Sequence, residues 1–566
     1  MSHASSRPQA HGSATLSAIV STLDIRTVRR PAPKRRHLRA QLNRTHARVG
    51  ESPWASRAAA AGLVAGAAVR IEQFAWRRSL WVDEALVANN ILTRSFAGLT
   101  HRLAGEQAAP IGWLWAQRTL VLGLGENEYA LRVLPLVAGI AALFLVHRVA
   151  LRVIGPWPAA MTTWLLAMSP AAVRYSVEVK QYSTDLAIAA GLVFLALRAV
   201  DHRVTDGRQD RHAVAAWGIA GAVAVWVSHP AVLVMAATAL VLGSDALRRR
   251  GGRERRVAVL ASAPFVIGFG ADWWVSLRVL GRDPFLHSFW KAGFPPEPVT
   301  IGSLLSWMVR ATSHLAANPG TIPLAGVAAA LAGAGLVITA YRRPVEGALL
   351  VGPMLVALGA ASIGAYPLDG RLALWLLPVL LMGLAASASA LVEAGGTVIA
   401  RNMAAAVTLV AFAALVRAPA TNVLSVVGRP TTWQDSRPLF EAVAARIRPG
   451  DQIWVHASDW GVGQFYGRST GLVLTGQIQD GLCGGGNPDL GAVAGSGMVW
   501  FIYGYHGSNA PVDEEQAVVA HLQGYAHLVG SIHRPLTGAY LLDFGAPPDR
   551  PDQPLADVNC VTVTRP

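Results

Sequence analysis

The sequence is poor in charged residues for its length. Only 15% of its 566 residues are Asp, Glu, Lys or Arg, whereas about a quarter is usual in soluble proteins, and 52% are apolar. The apolar residues cluster in windows of about 18 or more, which is the length of helix that crosses a bilayer. This composition argues against a string of soluble domains and predicts a polytopic α-helical membrane protein.

The first 50 residues lack the apolar core of a signal peptide. They contain ten Lys or Arg residues and one acid, and other basic clusters lie in short loops between apolar runs. Membrane proteins distribute charge in this way because basic loops stay on the cytoplasmic side. The net charge of +15 therefore does not indicate a nucleic-acid partner. Residues 1–55 are predicted to be a disordered basic tail at the cytoplasmic leaflet.

Apolar windows predict about eleven transmembrane helices within a membrane domain at 56–420. If the N-terminal tail is cytoplasmic, the basic loops between these helices fall on the cytoplasmic side as well, so the predicted topology is N-in, C-out. The adjacent pair Arg77 and Arg78 falls on the outer side and is an irregularity in this pattern. The predicted spans are 57–75, 129–147, 157–175, 184–200, 213–229, 231–245, 256–275, 321–340, 347–365, 371–391 and 402–418.

The first outer loop, at about 76–128, is too long to be a turn. Its stretches "DEALVANNIL" and "APIGWLWAQRTLVLGL" have the apolar spacing of amphipathic helices, which we expect to lie on the outer leaflet. Trp113 and Trp115 are the predicted anchors at the membrane interface.

Composition changes after residue 418, and 421–566 are predicted to be a small soluble, extracytoplasmic α/β domain. Strands are expected at 452–458, 497–505 and 538–545, with a helix at about 514–524 and another in "RPLFEAVAARI". The "HASDW" stretch is interpreted as a strand end, and the glycine-rich run "CGGGNPDLGAVAGSG" matches no nucleotide-binding motif. Cysteine is almost absent: only Cys483 and Cys560 occur, and the sequence leaves open whether they form a disulfide.

Two adjacent carboxylates, Asp83 and Glu84, follow the first predicted span. One interpretation is that Asp83 caps the helix that follows it. The second outer loop, however, brings Glu178, Lys180 and Asp185 to the same side of the membrane. Ionisable groups at the ends of several spans predict a polar cavity, and therefore a functional site, at the outer interface.

Three further residues are candidate substrate ligands. Tyr182 lies in the same outer loop as Lys180. Arg371 opens the tenth predicted span and is a second candidate for binding phosphate, with an ordinary charged flank as the alternative. His229 lies at an outer helix end, where the alternative is a histidine satisfied by its surroundings.

An acid beside a cation suits the transfer of a sugar from a lipid phosphate to a hydroxyl. The hydroxyl needs a general base, which Asp83 supplies. The leaving group is already a stable phosphate anion, so that a cation such as Lys180 is needed to bind it and no strong acid is required.

Three stretches resemble one known superfamily. They are "LWVDEALVANNIL", then "APIGWLWAQRTLVLGLGENEYALRVLPLVAGIAALFLVHRVA", then "SPAAVRYSVEVKQYSTDLA". In order and spacing they are similar to the outer loops of GT-C-fold glycosyltransferases, specifically the superfamily of dolichyl-phosphate-mannose–protein mannosyltransferases and bacterial aminoarabinose transferases. The resemblance covers about residues 57–200.

The resemblance implies an inverting transfer from a polyprenyl-phosphate sugar, with Asp83 as the base and Glu84 assisting it. It implies substrate binding by the second outer loop, through Glu178, Lys180 and Tyr182. Some members of the superfamily have a divalent metal near their acidic pair, so the resemblance leaves open a metal near Asp83. The expected partners are membrane lipids, a lipid-linked sugar donor, and an acceptor in the cell envelope or on a protein.

Two other classes compete with a glycosyltransferase. A transporter or flippase of a lipid-linked or small polar substrate would also bury charges, but it should show internal repeats with helices interrupted near mid-membrane. No such repeat is visible in the sequence. A non-catalytic anchor for the soluble domain needs neither this many spans nor the acidic pair.

Overall fold

The computed structural model describes residues 52–205, 211–248, 252–281, 283–430, 432, 434–478, 497–504 and 514–549. The predicted N-terminal tail, up to residue 51, and the two cysteines, Cys483 and Cys560, lie outside the described residues. Helices before the C-terminal domain are α1 (Pro53–Ala75), α2 (Val82–Thr93), α3 (Ile111–Leu124), α4 (Glu128–Ile154), α5 (Pro156–Ala167), α6 (Pro170–Arg174), α7 (Tyr182–Thr205), α8 (Arg211–Val227), α9 (Ala231–Arg248), α10 (Gly252–Asp272), α11 (Arg278–Leu280), α12 (Pro284–Phe289), α13 (Ile301–Ala317), α14 (Ala325–Arg342), α15 (Pro344–Ser362), α16 (Leu377–Ala394) and α17 (Val398–Leu424).

Nine helical segments in the described part of the chain are long and apolar enough to cross a membrane. They are α1, α4, α7, α9, α10 with the π-helical turn Trp273–Leu277, α14, α15, α16 with the 3-10 helix Gly370–Leu376 before it, and α17. The polytopic helical class is therefore confirmed. The other two predicted spans are also helical, but α8 has 17 residues and the third predicted span is broken into α5 and α6.

The break between α5 and α6 has a local cause. Pro170 has no amide hydrogen to continue the helix, and the Ser169 side chain accepts a hydrogen bond from the first turn of α6 (3.3 Å). At the end of α5, Leu166 O accepts from the Ser169 amide (3.3 Å), and the buried Arg70 of α1 donates to Leu166 O and Ala167 O, both at 3.3 Å. A buried cation thus helps to satisfy the carbonyls at this helix end.

The first outer loop folds as α2 and α3, as the apolar spacing predicts. Both helices contribute to an apolar core that they share with the C-terminal domain. Trp113 is fully buried in that core, so its prediction as an interface anchor is wrong. Trp115 is 39% exposed, and its indole N–H donates to Phe96 O (2.8 Å).

The C-terminal domain is a five-stranded sheet with helices. Strands β2, β1 and β3 are parallel, and β5 and β4 complete the sheet antiparallel, in the order β2-β1-β3-β5-β4. The sequence predicts β1, β3, β5 and the helices α18 and α20, but it misses β2, β4 and α19. Its elements are α18 (Ser436–Ala444), β1 (Gln452–His456), α19 (Trp460–Thr470), β2 (Gly476–Ile478), β3 (Met498–Tyr503), α20 (Glu514–Gln523), β4 (His527–Arg534) and β5 (Thr537–Asp543).

Helix α19 lies against α2 and joins the sheet domain to the outer loop. Asn89 of α2 donates to Gly461 O (2.7 Å) and accepts from Arg468 (2.7 Å). The Tyr466 hydroxyl accepts from the Leu80 amide (2.7 Å). The "HASDW" stretch begins with His456, the last residue of β1, as the prediction of a strand end has it, and continues as a 3-10 turn and the start of α19. The helix that carries Asp83 is therefore fixed from the side of the soluble domain.

Candidate active site

Asp83 lies in the first turn of α2 and binds two cations. Lys180 Nζ donates to Asp83 Oδ1 (2.9 Å), and Arg371 Nη1 donates to Asp83 Oδ2 (2.6 Å). The residue before the helix, Trp81, has extended backbone geometry, and no side chain caps the helix start. The interpretation of Asp83 as a helix cap is therefore wrong, and its carboxylate belongs to an ion-pair cluster.

Three separate outer segments form this cluster. Asp83 comes from the first outer loop, Lys180 from the second, and Arg371 from the 3-10 helix that leads into α16. Lys180 is 4% exposed and also donates to Gln107 Oε1 (2.7 Å). The structure thus brings together the acid and both cations that the sequence predicts at the outer interface.

The cations determine the protonation of Asp83. Burial alone raises the pKa of this carboxyl, but the charges of Lys180 and Arg371 outweigh burial and lower its pKa to about 2. Burial also lowers the pKa of Lys180, and the attraction of Asp83 opposes that effect. At neutral pH the acid is therefore an anion held by two hydrogen-bonded cations.

Glu84 faces away from this cluster and is fully buried. Arg132 Nε and Nη2 donate to its two oxygens at 2.9 and 2.7 Å, and the Val179 amide donates to Oε1 (2.8 Å). Arg78 lies 3.9 Å away. Burial acts to raise the pKa of Glu84, but these partners outweigh it and lower the pKa. Glu84 therefore links α2 to Arg132 of α4 and to Val179, the loop residue before Lys180.

Arg77 and Arg78, the irregularity in the predicted charge distribution, both have partners within the fold. Arg78 is buried and donates to Val177 O (2.8 Å), while Arg77 pairs with the buried Glu128 (3.0 Å). Their charges are therefore used within the fold and need not follow the charge rule for loops.

Glu178 accepts from the Trp81 indole (2.6 Å) and from Arg174 Nε (2.9 Å). The Arg174 guanidinium lies over the Trp81 and Tyr175 rings at 5.5 and 5.4 Å from their centroids. Sequence reasoning missed Arg174, although its position four residues before Glu178 was a signal. Glu178 therefore stabilises the wall of the site and is not the nearest acid to Lys180.

Aromatic rings flank the Arg371 guanidinium. Its central carbon lies 5.7 Å from the Tyr182 centroid and 5.3 Å from the Trp290 centroid. Trp290 belongs to the segment between α11 and α13, which includes α12. Trp290 contacts Arg371, and Asp283 of the same segment forms an ion pair with Arg102 of the first outer loop (3.0 Å). These two contacts place the segment beside the site.

His229 lies in the loop between α8 and α9, and no contact of it with Asp83 is observed among the described residues. Its Nε2 atom is buried without a hydrogen-bond partner, and burial lowers the pKa of His229 to about 4. The alternative of a histidine satisfied by its surroundings is therefore not supported.

The donor set near Asp83 does not fit a divalent metal as it stands. Divalent cations such as Mg²⁺ need several oxygen ligands, but both Asp83 oxygens bind cations and Glu84 faces elsewhere. Within the described ranges, no group of three or more His, Cys, Asp or Glu side chains is arranged to hold a metal.

No known family model matches the sequence, and no curated protein gives a significant match. Among solved structures, the chain is similar to ArnT from Cupriavidus metallidurans bound to undecaprenyl phosphate, with a TM-score of 0.51 and 15% identity over 87% of this chain and 98% of that chain. A weaker similarity, with a TM-score of 0.47 and 12% identity over 88% of this chain and 75% of that chain, is to the archaeal oligosaccharyltransferase AglB from Archaeoglobus fulgidus in complex with an inhibitory peptide and a dolichol phosphate. With its apolar helices, the chain is a multi-pass membrane protein that has the GT-C fold.

Proposed function

We propose that the protein is an inverting glycosyltransferase that moves a sugar from a polyprenyl-phosphate donor to an acceptor hydroxyl at the outer face of the membrane. The observation that carries this proposal is a carboxylate, Asp83, held between two cations, Lys180 and Arg371. The ArnT structure of similar fold is bound to undecaprenyl phosphate, which supports the donor class.

In the proposed reaction, Lys180 and Arg371 bind the donor phosphate, because ammonium and guanidinium groups neutralise phosphate oxygens. The acceptor oxygen attacks the anomeric carbon on the face opposite the phosphate, and the proton of the acceptor passes to Asp83. The bond between the anomeric carbon and the phosphate oxygen breaks, and polyprenyl phosphate leaves with the electron pair. One displacement therefore inverts the anomeric centre.

The ion pairs around Asp83 suggest how the base becomes available. With a pKa of about 2, Asp83 is a weak base while both cations hold it. A phosphate that binds Lys180 and Arg371 takes over hydrogen bonds that now go to the carboxylate. Asp83 then loses much of the attraction that lowers its pKa, and its proton affinity rises as the donor binds.

The other predicted site residues have supporting roles in this proposal. Glu84 positions Asp83 and Lys180 relative to each other, since its carboxylate binds both Arg132 and the Val179 amide. Tyr182 supports the Arg371 guanidinium from one side. No step of the proposed reaction passes through a metal ion.

The orientation of the chain is a further part of the proposal. The basic loops indicate a cytoplasmic N-terminus and an extracytoplasmic C-terminal domain, so that the acceptor is a hydroxyl of the cell envelope or of a protein. A membrane-impermeant thiol reagent applied to intact cells should label Glu441→Cys in a chain whose Cys483 and Cys560 are replaced by Ser. Labelling only after the cells are broken would contradict this orientation.

The test of the proposed reaction is transfer by the purified protein in lipid nanodiscs, with a panel of undecaprenyl-phosphate sugars and a mixture of envelope and peptide acceptors. We expect release of undecaprenyl phosphate and a product of inverted anomeric configuration. No turnover with any donor, together with flux of a lipid-linked sugar or small solute in liposomes, would instead support a transporter.

A further inference from the structure

A second group of polar side chains begins about one helical turn along α7 from Tyr182, whose ring lies beside Arg371. Four atoms there are buried without a hydrogen-bond partner: Thr184 Oγ1, Asp185 Oδ1, Ser228 Oγ and His229 Nε2. Asp185 is 5% exposed, Thr184 is 6% exposed and Ser228 is fully buried. We call these four residues the inner polar cluster.

The members of the inner polar cluster come from two elements that meet. Thr184 and Asp185 lie in the first turn of α7, while Ser228 and His229 form the short loop between α8 and α9. Helix α7 packs against both α8 and α9. Ser228 and Asp185 are near enough for the Ser228 hydroxyl to act on the Asp185 carboxyl group. Their Oγ and Oδ1 atoms nevertheless lack a hydrogen bond of normal geometry. The first turn of α7 and the loop between α8 and α9 therefore meet at Asp185 and Ser228.

A continuous set of contacts connects this cluster to Asp83. Asp185 follows Tyr182 by three residues, which is about 4.5 Å along the helix axis. The Tyr182 ring lies beside the Arg371 guanidinium, and Arg371 binds Asp83. Tyr366 interacts electrostatically with both Asp185 and Tyr182. A ligand whose phosphate binds Arg371 and Lys180 can therefore direct its other end to the inner polar cluster.

An unpaired buried polar atom destabilises a fold, so four such atoms together need an explanation beyond packing. A carboxylate accepts hydrogen bonds, two hydroxyls both donate and accept them, and an imidazole that is neutral at pH 7 does the same. These groups match the hydroxyls of a sugar ring. A second phosphate does not fit, because none of the four side chains is a cation at pH 7 that could neutralise it.

We propose that the inner polar cluster binds the ring hydroxyls of the donor sugar, so that the substrate is a polyprenyl phosphate whose sugar carries free hydroxyls on the side away from the phosphate. This inference rests on the proposed function, and it names the part of the donor that the inner polar cluster recognises. The sugar then lies between the two clusters, with its anomeric carbon next to Asp83.

The test compares two lipids on the purified full-length protein in nanodiscs: undecaprenyl phosphate, and the undecaprenyl-phosphate sugar of the panel that binds most tightly. Asp185→Asn and Ser228→Ala should each weaken binding of the sugar-bearing lipid about tenfold or more, because each removes a hydrogen bond to the sugar. Binding of bare undecaprenyl phosphate should change by less than about twofold, within the scatter expected for a distant site.

Ser183→Ala is the matched control, because Ser183 lies in the same turn of α7 but its hydroxyl donates to Pro135 O (3.0 Å). This variant should bind both lipids as the wild type does. Equal losses for the two lipids in Asp185→Asn and Ser228→Ala, or no loss for either lipid, would overturn the proposal. If a donor with an amino sugar bound more tightly than any donor with a fully hydroxylated sugar, the proposal that the cluster recognises hydroxyls would be overturned.

The binding measurement separates this inference from the reaction proposed above. A sugar-specific loss of binding in a protein that transfers nothing would refute the reaction and retain the sugar site. Normal transfer by the wild type with no sugar-specific loss in either variant would refute the sugar site alone.

Discussion

The two sides of the first turn of α2 carry neighbouring carboxylates with opposite surroundings. The Asp83 side chain is 14% exposed and binds Lys180 and Arg371, which belong to loops and helix starts. The Glu84 side chain is fully buried and binds Arg132 of α4 and the Val179 amide. Consecutive residues of a helix point about 100° apart, so one acid faces the site while the other faces the bundle.

The difference teaches how to assign roles within an acidic pair. A buried carboxylate whose oxygens are all paired with the fold contributes to stability and position, and removing it leaves its partners unpaired. A carboxylate near the surface, paired with cations that suit phosphate, can exchange partners when a substrate binds. The sequence shows both acids as one motif, and only their partners distinguish them.

The largest expected effect is on the turnover of Asp83→Asn. Loss of the general base should lower kcat by about 10²–10⁴-fold, measured as single-turnover transfer in nanodiscs. The variant should still bind bare undecaprenyl phosphate, and that lipid should restore its melting temperature, because the phosphate replaces the missing negative charge between Lys180 and Arg371. Full turnover in Asp83→Asn would show that another group is the base.

Glu84→Gln should affect the fold first. Its neutral amide leaves the buried Arg132 and Arg78 without a counter-charge, and we expect a loss of about 3–5 kcal/mol in the free energy of unfolding. Thermal or denaturant unfolding in detergent measures it, and undecaprenyl phosphate should not restore the loss.

The control is Glu441→Gln, whose side chain is 61% exposed and pairs with Arg437 at 3.9 Å. An exposed ion pair contributes about 0–1 kcal/mol, so this variant should unfold as the wild type does. If Glu84→Gln kept wild-type stability but lost turnover, its role would be chemical and the contrast between the two acids would fail.

Lys180→Ala should weaken donor binding by about 10–100-fold, since a hydrogen bond to a charged group contributes about 1.5–3 kcal/mol. Lys291→Ala is the matched control, because Lys291 is an exposed lysine in the segment beside the site. Calorimetric titration with undecaprenyl phosphate measures both variants. Unchanged affinity in Lys180→Ala would remove Lys180 from the phosphate site.

The smallest expected effect is that of pH. The pKa of Asp83 is lowered from 3.8 to about 2, so its ion pairs stabilise the fold above about pH 4 and this contribution disappears as the pH falls towards 2. For the same reason the base is already ionised at pH 5. The kcat/KM profile should therefore show no acid limb from Asp83 between pH 5 and 8, and a limb with an apparent pKa near 6 would contradict the assignment.

Charge distribution and helix counting were enough to predict the main cluster. The alternation of basic loops places Asp83, Lys180 and Arg371 on one side of the membrane, and the structure joins them within 2.9 Å. Sequence reasoning could not predict the partners of Glu84, because Arg132 lies inside a long apolar helix and its direction depends on how α4 packs against α2.

Other differences also arise from tertiary packing. Trp113 has the spacing of an interface residue, yet it is buried in the core to which α2, α3 and the C-terminal domain all contribute, which no local pattern indicates. Deleting that domain would therefore disturb α2 through Asn89 and Tyr466 as well as removing any acceptor contact. A deletion cannot isolate acceptor binding, and point changes on the exposed surface of the domain are the appropriate test.

The most direct measurement is a cryo-electron microscopy structure of the protein in nanodiscs with undecaprenyl phosphate. The account predicts phosphate oxygens within about 3 Å of Lys180 Nζ and the Arg371 guanidinium, with Asp83 released from at least one of them and Glu84 still bound to Arg132. A phosphate bound elsewhere, with Asp83 still held by both cations, would contradict the account.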